Sequence, residues 1–433
     1  MDHRETSATT DFRKANPEAV DDVVSGRKAV ASAAWWGFDE QDSTDAVQSA
    51  ILSGAKRVVV PNLGRDWIVR PIRIRRGLEL VFERGVRVTA KRGEFRGRGD
   101  CLFRARDVDD LVIRGYGATL QMQKEDYIVG KVLQDFGWDR WFGQYEKAEW
   151  RSVLSLEGCS NARIYGVTLR DSGGDGIYIA GGDSRSFCKD IYIRDVVCDN
   201  NYRQGISVIS VQGLLVENSV FKNTWGTPPS SGVDIEPDKE TERVSNVVFR
   251  NCVFQDNYGD GIEIFLSNLS EASNEVSLRF ENCYVTSRRG SGIRVSKVRP
   301  GLRGSIEFRN CVVEDTEGYG VKIQDKSPLG LGVIFADCTI RNAAQNRQYR
   351  GRWSPIWIHL MNRELAPSIG GVLFENCVVE DEEDRPAVVI DGEQPFEASD
   401  ITGKIAVRNP HGARIELENA SVDITLELEE KEW

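Results

Sequence analysis

The chain has 433 residues, a net charge of −11, an apolar fraction of 40% and 41 glycines against 13 prolines. So acidic a chain is a poor nucleic-acid binder, because contacts to a phosphate backbone need clustered Lys and Arg. No stretch approaches the run of roughly eighteen apolar residues that a membrane span needs.

Residues 1–34 are polar and charged and read as an N-terminal extension. Residues 1–30 contain no apolar run of signal-peptide type. The expectation is a cytoplasmic protein as written, or a secreted or periplasmic one if a leader has been trimmed. Asp42 to Gly54 predicts one short helix, with hydroxyl N-cap candidates, an acid in the first turn, Val47, Ala50 and Ile51 on one face, and a glycine stop. It would cover the N-terminal mouth of a single domain over residues 35–433.

Weak coils of that domain can be traced at Leu78-Glu79-Leu80-Val81, Leu102-Phe103, Leu111-Val112-Ile113 and Val153-Leu154. Between about 123 and 151 the pattern is interrupted by Asp126, Tyr127, Phe136, Trp138, Trp141, Phe142, Tyr145 and Trp150. A long insertion in a solenoid maps to one face, often the binding face. Trp138 and Trp141 are therefore candidate platforms for sugar rings, although such rings equally fill a loop's own core.

From there the repeat is plain. Gly176-Ile177-Tyr178-Ile179 recurs as Gly205-Ile206-Ser207-Val208, Gly232-Val233-Asp234-Ile235, Gly261-Ile262-Glu263-Ile264, Gly292-Ile293-Arg294-Val295 and Gly320-Val321-Lys322-Ile323, with weaker copies at Pro355-Ile356-Trp357-Ile358 and Ala387-Val388-Val389-Ile390. A second ladder puts Cys252, Cys283, Cys311, Cys338 and Cys377 in one slot, each after an Asn or Asp and two residues before an apolar position. A buried Cys behaves as a small hydrophobe. The nine cysteines are thus expected as reduced thiols, five of them in an interior column. The repeat is too short for a βαβ unit and alternates with period 2. One unit cannot bury its apolar face alone, so coils must stack, and parallel crossovers are overwhelmingly right-handed. The fold class is all-β: a single right-handed parallel β-helix with a short N-terminal capping helix.

The opening Asp45-Ala46-Val47-Gln48-Ser49-Ala50-Ile51 before Val58-Val59-Val60-Pro61, and the Gly-Asp-Gly-Ile coil pattern, resemble carbohydrate-active β-helix proteins of the pectate-lyase-like superfamily. The resemblance covers nearly the whole chain and implies a polysaccharide lyase, glycoside hydrolase, epimerase or tailspike. The polygalacturonase pattern (Asn-Thr-Asp, Asp-Asp, Gly-His-Gly) and the mannuronan-epimerase Asp-Pro-His pattern are missing, so it implies no single family.

In each strand the residue between two inward Ile or Val points out. That slot reads Tyr178, Ser207, Asp234, Glu263, Arg294, Lys322, Trp357. Two residues on lie Ala180, Ile209, Glu236, Phe265, Ser296, Gln324 and His359, and before each glycine lie Asp175, Gln204, Ser231, Asp260, Ser291, Tyr319 and Ser354. The centre of this surface is acidic. Stacked like charges repel, so Asp234, Glu236, Glu263 and Asp260 are the candidate catalytic carboxylates, since acid–base work needs carboxyls with separated pKa values. Asp175, Tyr178, Arg203, Gln204, Arg294, Lys322, Trp357 and His359 are candidate substrate contacts. His359, with only His3 and His411 elsewhere, belongs to no metal triad.

The leading expectation is a glycoside hydrolase with Glu236 as general acid and Asp234 as base. Two residues apart on a strand, their carboxyls would lie about 6.5–7 Å apart, within the inverting range of about 6.5–9.5 Å; Glu263 stacked on Asp234 would instead suit a retaining pair. No cofactor is expected. The alternative is a polysaccharide lyase in which Asp234, Glu236 and Glu263 hold Ca²⁺ and Arg294 or Lys322 takes a proton beside a uronate. A non-enzymatic glycan-binding fibre is the third reading. The partner in each case is a carbohydrate, with no nucleic acid and no membrane.

Overall fold

The computed structural model describes residues 13–128, 145–346 and 353–431. Through them the chain winds as a right-handed parallel β-helix. Each coil contributes three short strands, and each strand pairs in parallel with its counterpart one coil on. The sheet that matters most runs Ile72–Ile74, Phe103–Arg106, Leu154–Glu157, Ile177–Ala180, Ile206–Val208, Val233–Ile235, Ile262–Phe265, Ile293–Val298, Val321–Lys326 and Ile356–Leu360. Its register puts Ser155, Tyr178, Ser207, Asp234, Glu263, Arg294, Lys322 and Trp357 in one file, as the repeat predicts.

The flanking Ile and Val are fully buried and form the continuous core. The repeat glycines are set by crowding between coils: a Cβ on Gly232 would lie 2.7 Å from the Gly261 carbonyl oxygen, and one on Gly261 2.8 Å from that of Gly292. All nine cysteines are free and buried. In the cysteine file each thiol donates back to a carbonyl of the preceding coil, Cys283 to Phe249 and Cys311 to Phe280 among them. Beside it the rings of Phe249, Phe280, Phe308, Phe335 and Phe374 stack with centroids 4.8–5.2 Å apart. The Asn or Asp preceding each Cys of the file takes positive φ (Asn251 52°, Asn282 53°, Asn310 50°, Asp337 55°, Asn376 51°), a conformation Asn and Asp tolerate better than other residues with a Cβ, and the asparagines turn their side chains along the stack. Their amides form a ladder in which Asn310 donates to Asn282 at 2.8 Å.

The N-terminal helix spans Thr44–Leu52 and buries Ala46, Val47, Ala50 and Ile51 against the first coils. Its cap differs from expectation. The Ser43 hydroxyl turns back to the Asp39 carbonyl, and the Asp42 carboxylate accepts the Thr44 N–H at 3.0 Å. The stack also begins before residue 35: Val30–Ser32 pairs with the strand Arg57–Val60, and a helix, Pro17–Val24, precedes it. At the described ends of the insertion Tyr127 and Tyr145 fill core, while Trp150 is exposed. Tyr127 and Tyr145 meet edge to face at 5.1 Å, and the fully buried Arg151 lies 5.5 Å from both rings. Phe136, Trp138, Trp141 and Phe142 lie outside the described residues.

Candidate functional site

Outside the core, yet closed off from solvent, five carboxylates gather on adjacent coils. Asp175 and Asp234 are fully buried, Glu263 and Asp260 are 5% and 8% exposed, and only Glu236 is substantially open, its side chain about one-third exposed. The outward-pointing file expected from alternation is therefore closed to solvent at its acidic centre. The long side chains of neighbouring coils fold over it.

Arg203 is the hub. Its guanidinium lies 3.9 Å from Asp175, 3.9 Å from Asp234 and 4.0 Å from Glu236. These contacts exceed hydrogen-bond length, and its Nε has no partner among the described residues. Gln204 ties the coils together: its amide donates to Asp234 Oδ2 at 2.9 Å and its carbonyl accepts the Ser231 N–H at 2.7 Å. The Ser231 hydroxyl donates to Glu263 at 2.9 Å, and Arg294 pairs with Glu263 at 3.2 Å and Asp260 at 3.8 Å. Asp234 Oδ1 has no hydrogen-bond partner among the described residues.

Burial is the chief cause of every shift in this cluster, because it penalises the charged form. It pushes Asp175 up to about 6 against the opposing Arg203, and Glu263 up to about 7 with help from Asp260. Asp234 is raised well above the carboxylate range, with Glu263 and Glu236 adding to burial. Glu236 and Asp260 are raised too, each offset by its arginine. Burial, then the carboxylates of Asp238 and Asp175, raises the Tyr178 phenol. Burial thus favours the protonated form of each carboxyl in the cluster, and at Asp234 the neighbouring carboxylates act in the same direction.

Lys322, Trp357 and His359 continue the site. Tyr319 and His359 stack on Trp357 at 4.5 and 4.4 Å, and the Lys322 ammonium lies 4.8 Å over the same ring. Asp391 accepts from Trp357 Nε1 at 2.8 Å and meets His359 Nδ1 at 2.6 Å. Burial places three expected sugar contacts behind the groove surface: Asp175, Gln204 and His359 face Arg203, Asp234 and Asp391. The stacked Trp357 likewise offers no free face for a sugar, although it lines a cavity with Lys322 and Arg294. Asp391 was within reach of the sequence, since it follows His359 in register one coil on. Glu149, whose charge acts on Asp175, Arg203 and Glu236, was not, because it comes from the insertion and the repeat says nothing of its return path.

Asp234 and Glu236 share Arg203, Asp260 and Glu263 share Arg294, and an added cation would meet those guanidiniums. Among the described residues no group of three His, Cys, Asp or Glu side chains is arranged to hold a metal ion.

A family model described as right handed beta helix region matches residues 148–277. The uncharacterized protein YclG of Bacillus subtilis (strain 168) is 32% identical over 132 residues, covering 27% of this chain and 22% of that protein; the match thus spans about a fifth of the relative's length. Among solved structures, the A-module of the mannuronan C-5 epimerase AlgE6 of Azotobacter vinelandii is similar over 92% of this chain and 99% of its own, with TM-score 0.62 and 14% identity. The catalytic unit of a GH87 alpha-1,3-glucanase from Streptomyces thermodiastaticus strain HF3-3 is similar over 93% and 69%, with TM-score 0.56 and 12% identity. The class is thereby defined as a right-handed parallel β-helix, the fold implied by the resemblance to the pectate-lyase-like superfamily.

Proposed function

We propose that the chain is a glycoside hydrolase acting on a poly- or oligosaccharide without a metal. One observation carries this reading: a closed and an open carboxyl, Asp234 and Glu236, share a single guanidinium on one strand end. Hydrolysis needs one carboxyl that keeps its proton and one that gives it up. Burial makes Asp234 the better proton holder and Glu236 the better base, the reverse of the order expected from sequence. Glu236 has the solvent access a water-activating base needs. The unpartnered Oδ1 of Asp234 is the atom that would donate to the leaving oxygen. The two-residue spacing suits inversion. Fold similarity to an epimerase named for mannuronan and to an alpha-1,3-glucanase supports a polysaccharide as the substrate class. The test is release of reducing ends across a glycan panel, lost in Glu236→Gln and Asp234→Asn while both variants keep their melting temperature.

A lyase on a uronate-containing glycan is the second reading, and Lys322 favours it. Burial and the neighbouring Arg294 hold its ammonium down to about 8, which suits a proton acceptor. The poor fit of the carboxylates to Ca²⁺ weighs against the metal-dependent form of that chemistry.

A further inference from the structure

On the basic side of the carboxylate cluster lies a cavity of about 290 Å³ whose charged lining is Asp260, Arg289, Arg294 and Lys322. Three cations face one carboxylate there, in a chain whose net charge is −11. Arg294 is committed to Glu263 and Asp260, and the Arg289 guanidinium lies 5.2 Å over the Tyr258 ring. Lys322 differs. Its half-buried ammonium makes no hydrogen bond or ion pair among the described residues, and the group it does meet is the ring of Trp357. Holding an ammonium partly out of water with no carboxylate in hydrogen-bond reach is costly; Asp260, Glu263 and Asp325 act on it only at longer range, and a ligand oxyanion would relieve the remaining cost. The depressed pKa of Lys322 reports the same unmet demand.

We infer that this cavity is a subsite for an anionic sugar, one whose carboxylate or sulfate group is received by Lys322 with Arg294 and Arg289 at its sides. The inference rests on the glycan-acting reading and deepens it by naming the substrate class. Lys322 sits two coils beyond Glu263 in the same file, roughly 10 Å at about 4.8 Å per coil. From Asp234 it is three coils, roughly 14 Å by the same spacing, so the acidic ring would lie further along the glycan from the Asp234–Glu236 pair and would not be the sugar being cleaved. Positive charge gathered in one cavity also helps steer an anionic chain.

The experiment is binding of the full chain to an array of oligosaccharides in neutral, carboxylated and sulfated forms, for wild type, Lys322→Met, Lys322→Arg and Glu236→Gln. The expected result is binding restricted to acidic members, weakened about tenfold or more in Lys322→Met, as for loss of one charge-assisted hydrogen bond. Lys322→Arg should restore much of it, and Glu236→Gln should bind normally. The carboxylated and sulfated arms identify the anion. Neutral members bound as tightly as acidic ones, or acidic binding unchanged in Lys322→Met, would overturn the subsite. Neither result touches the hydrolase reading, whose own failure is separate: acidic binding that depends on Lys322, with no reducing ends released.

Discussion

Asp175 and Glu263 titrate near 6 and 7 in the folded chain, against about 3.9 and 4.3 for exposed Asp and Glu. A carboxyl whose folded pKa is raised contributes stability that is fully present below the unfolded value and is lost as pH rises through the folded one. The melting temperature should therefore fall by a few degrees between about pH 4 and pH 7. Asp175→Asn and Glu263→Gln should each flatten that slope, as differential scanning calorimetry across pH would register; an unchanged slope in both would mean these groups are not desolvated. At Asp234, Asn mimics the protonated acid and still accepts the Gln204 amide. Asp234→Asn should thus melt at or slightly above wild type, while turnover drops by about 10²–10⁴, the usual worth of one acid or base. Leaving-group dependence separates the two roles. On an aryl glycoside with a good leaving group, Asp234→Asn should recover much of its activity, whereas Glu236→Gln should be equally impaired on poor and good leaving groups. Recovery in Glu236→Gln alone would restore the order expected from sequence.

A coil is held by columns that run across it, so the cost of a substitution depends on its file. Phe308 is fully buried and stacks on Phe280 and Phe335. Phe308→Ala should cost about 3–5 kcal/mol, read by denaturant unfolding. Asn282 combines positive φ with a rung of the amide ladder. Asn282→Val should therefore destabilise more than Asn282→Gly, because glycine meets the conformation without strain. Thiol titration of denatured, non-reduced protein should find nine free cysteines. These columns were legible in the sequence because inward, outward and turn positions each recur once per coil. The Cys file with the Asn or Asp before each Cys, and the outward file from Tyr178 to Trp357, follow from spacing alone. Burial of the outward carboxylates was not legible. Alternation tells which side of a strand a residue occupies, but not whether Arg203, Gln204 or the insertion lies over it. For the same reason Asp175, Gln204 and His359 were expected at the surface and are found behind it.

Across the whole molecule, a continuous apolar core supports one long outward face on which charge changes sign: carboxylates from Asp175 to Glu263, then Arg294 and Lys322. That order suits a glycan laid across several coils, with bond cleavage at the acidic part and an anionic ring held at the basic part. The opposing chemistry, metal-assisted elimination, would place Ca²⁺ among the carboxylates that Arg203 and Arg294 already face. The most direct measurement is product analysis on the best substrate from the glycan panel after exhaustive EGTA treatment, with and without added Ca²⁺. Hydrolysis predicts undiminished release of reducing ends and no absorbance from unsaturated uronates. Loss on chelation, rescue by Ca²⁺ and products absorbing as unsaturated uronates would contradict it.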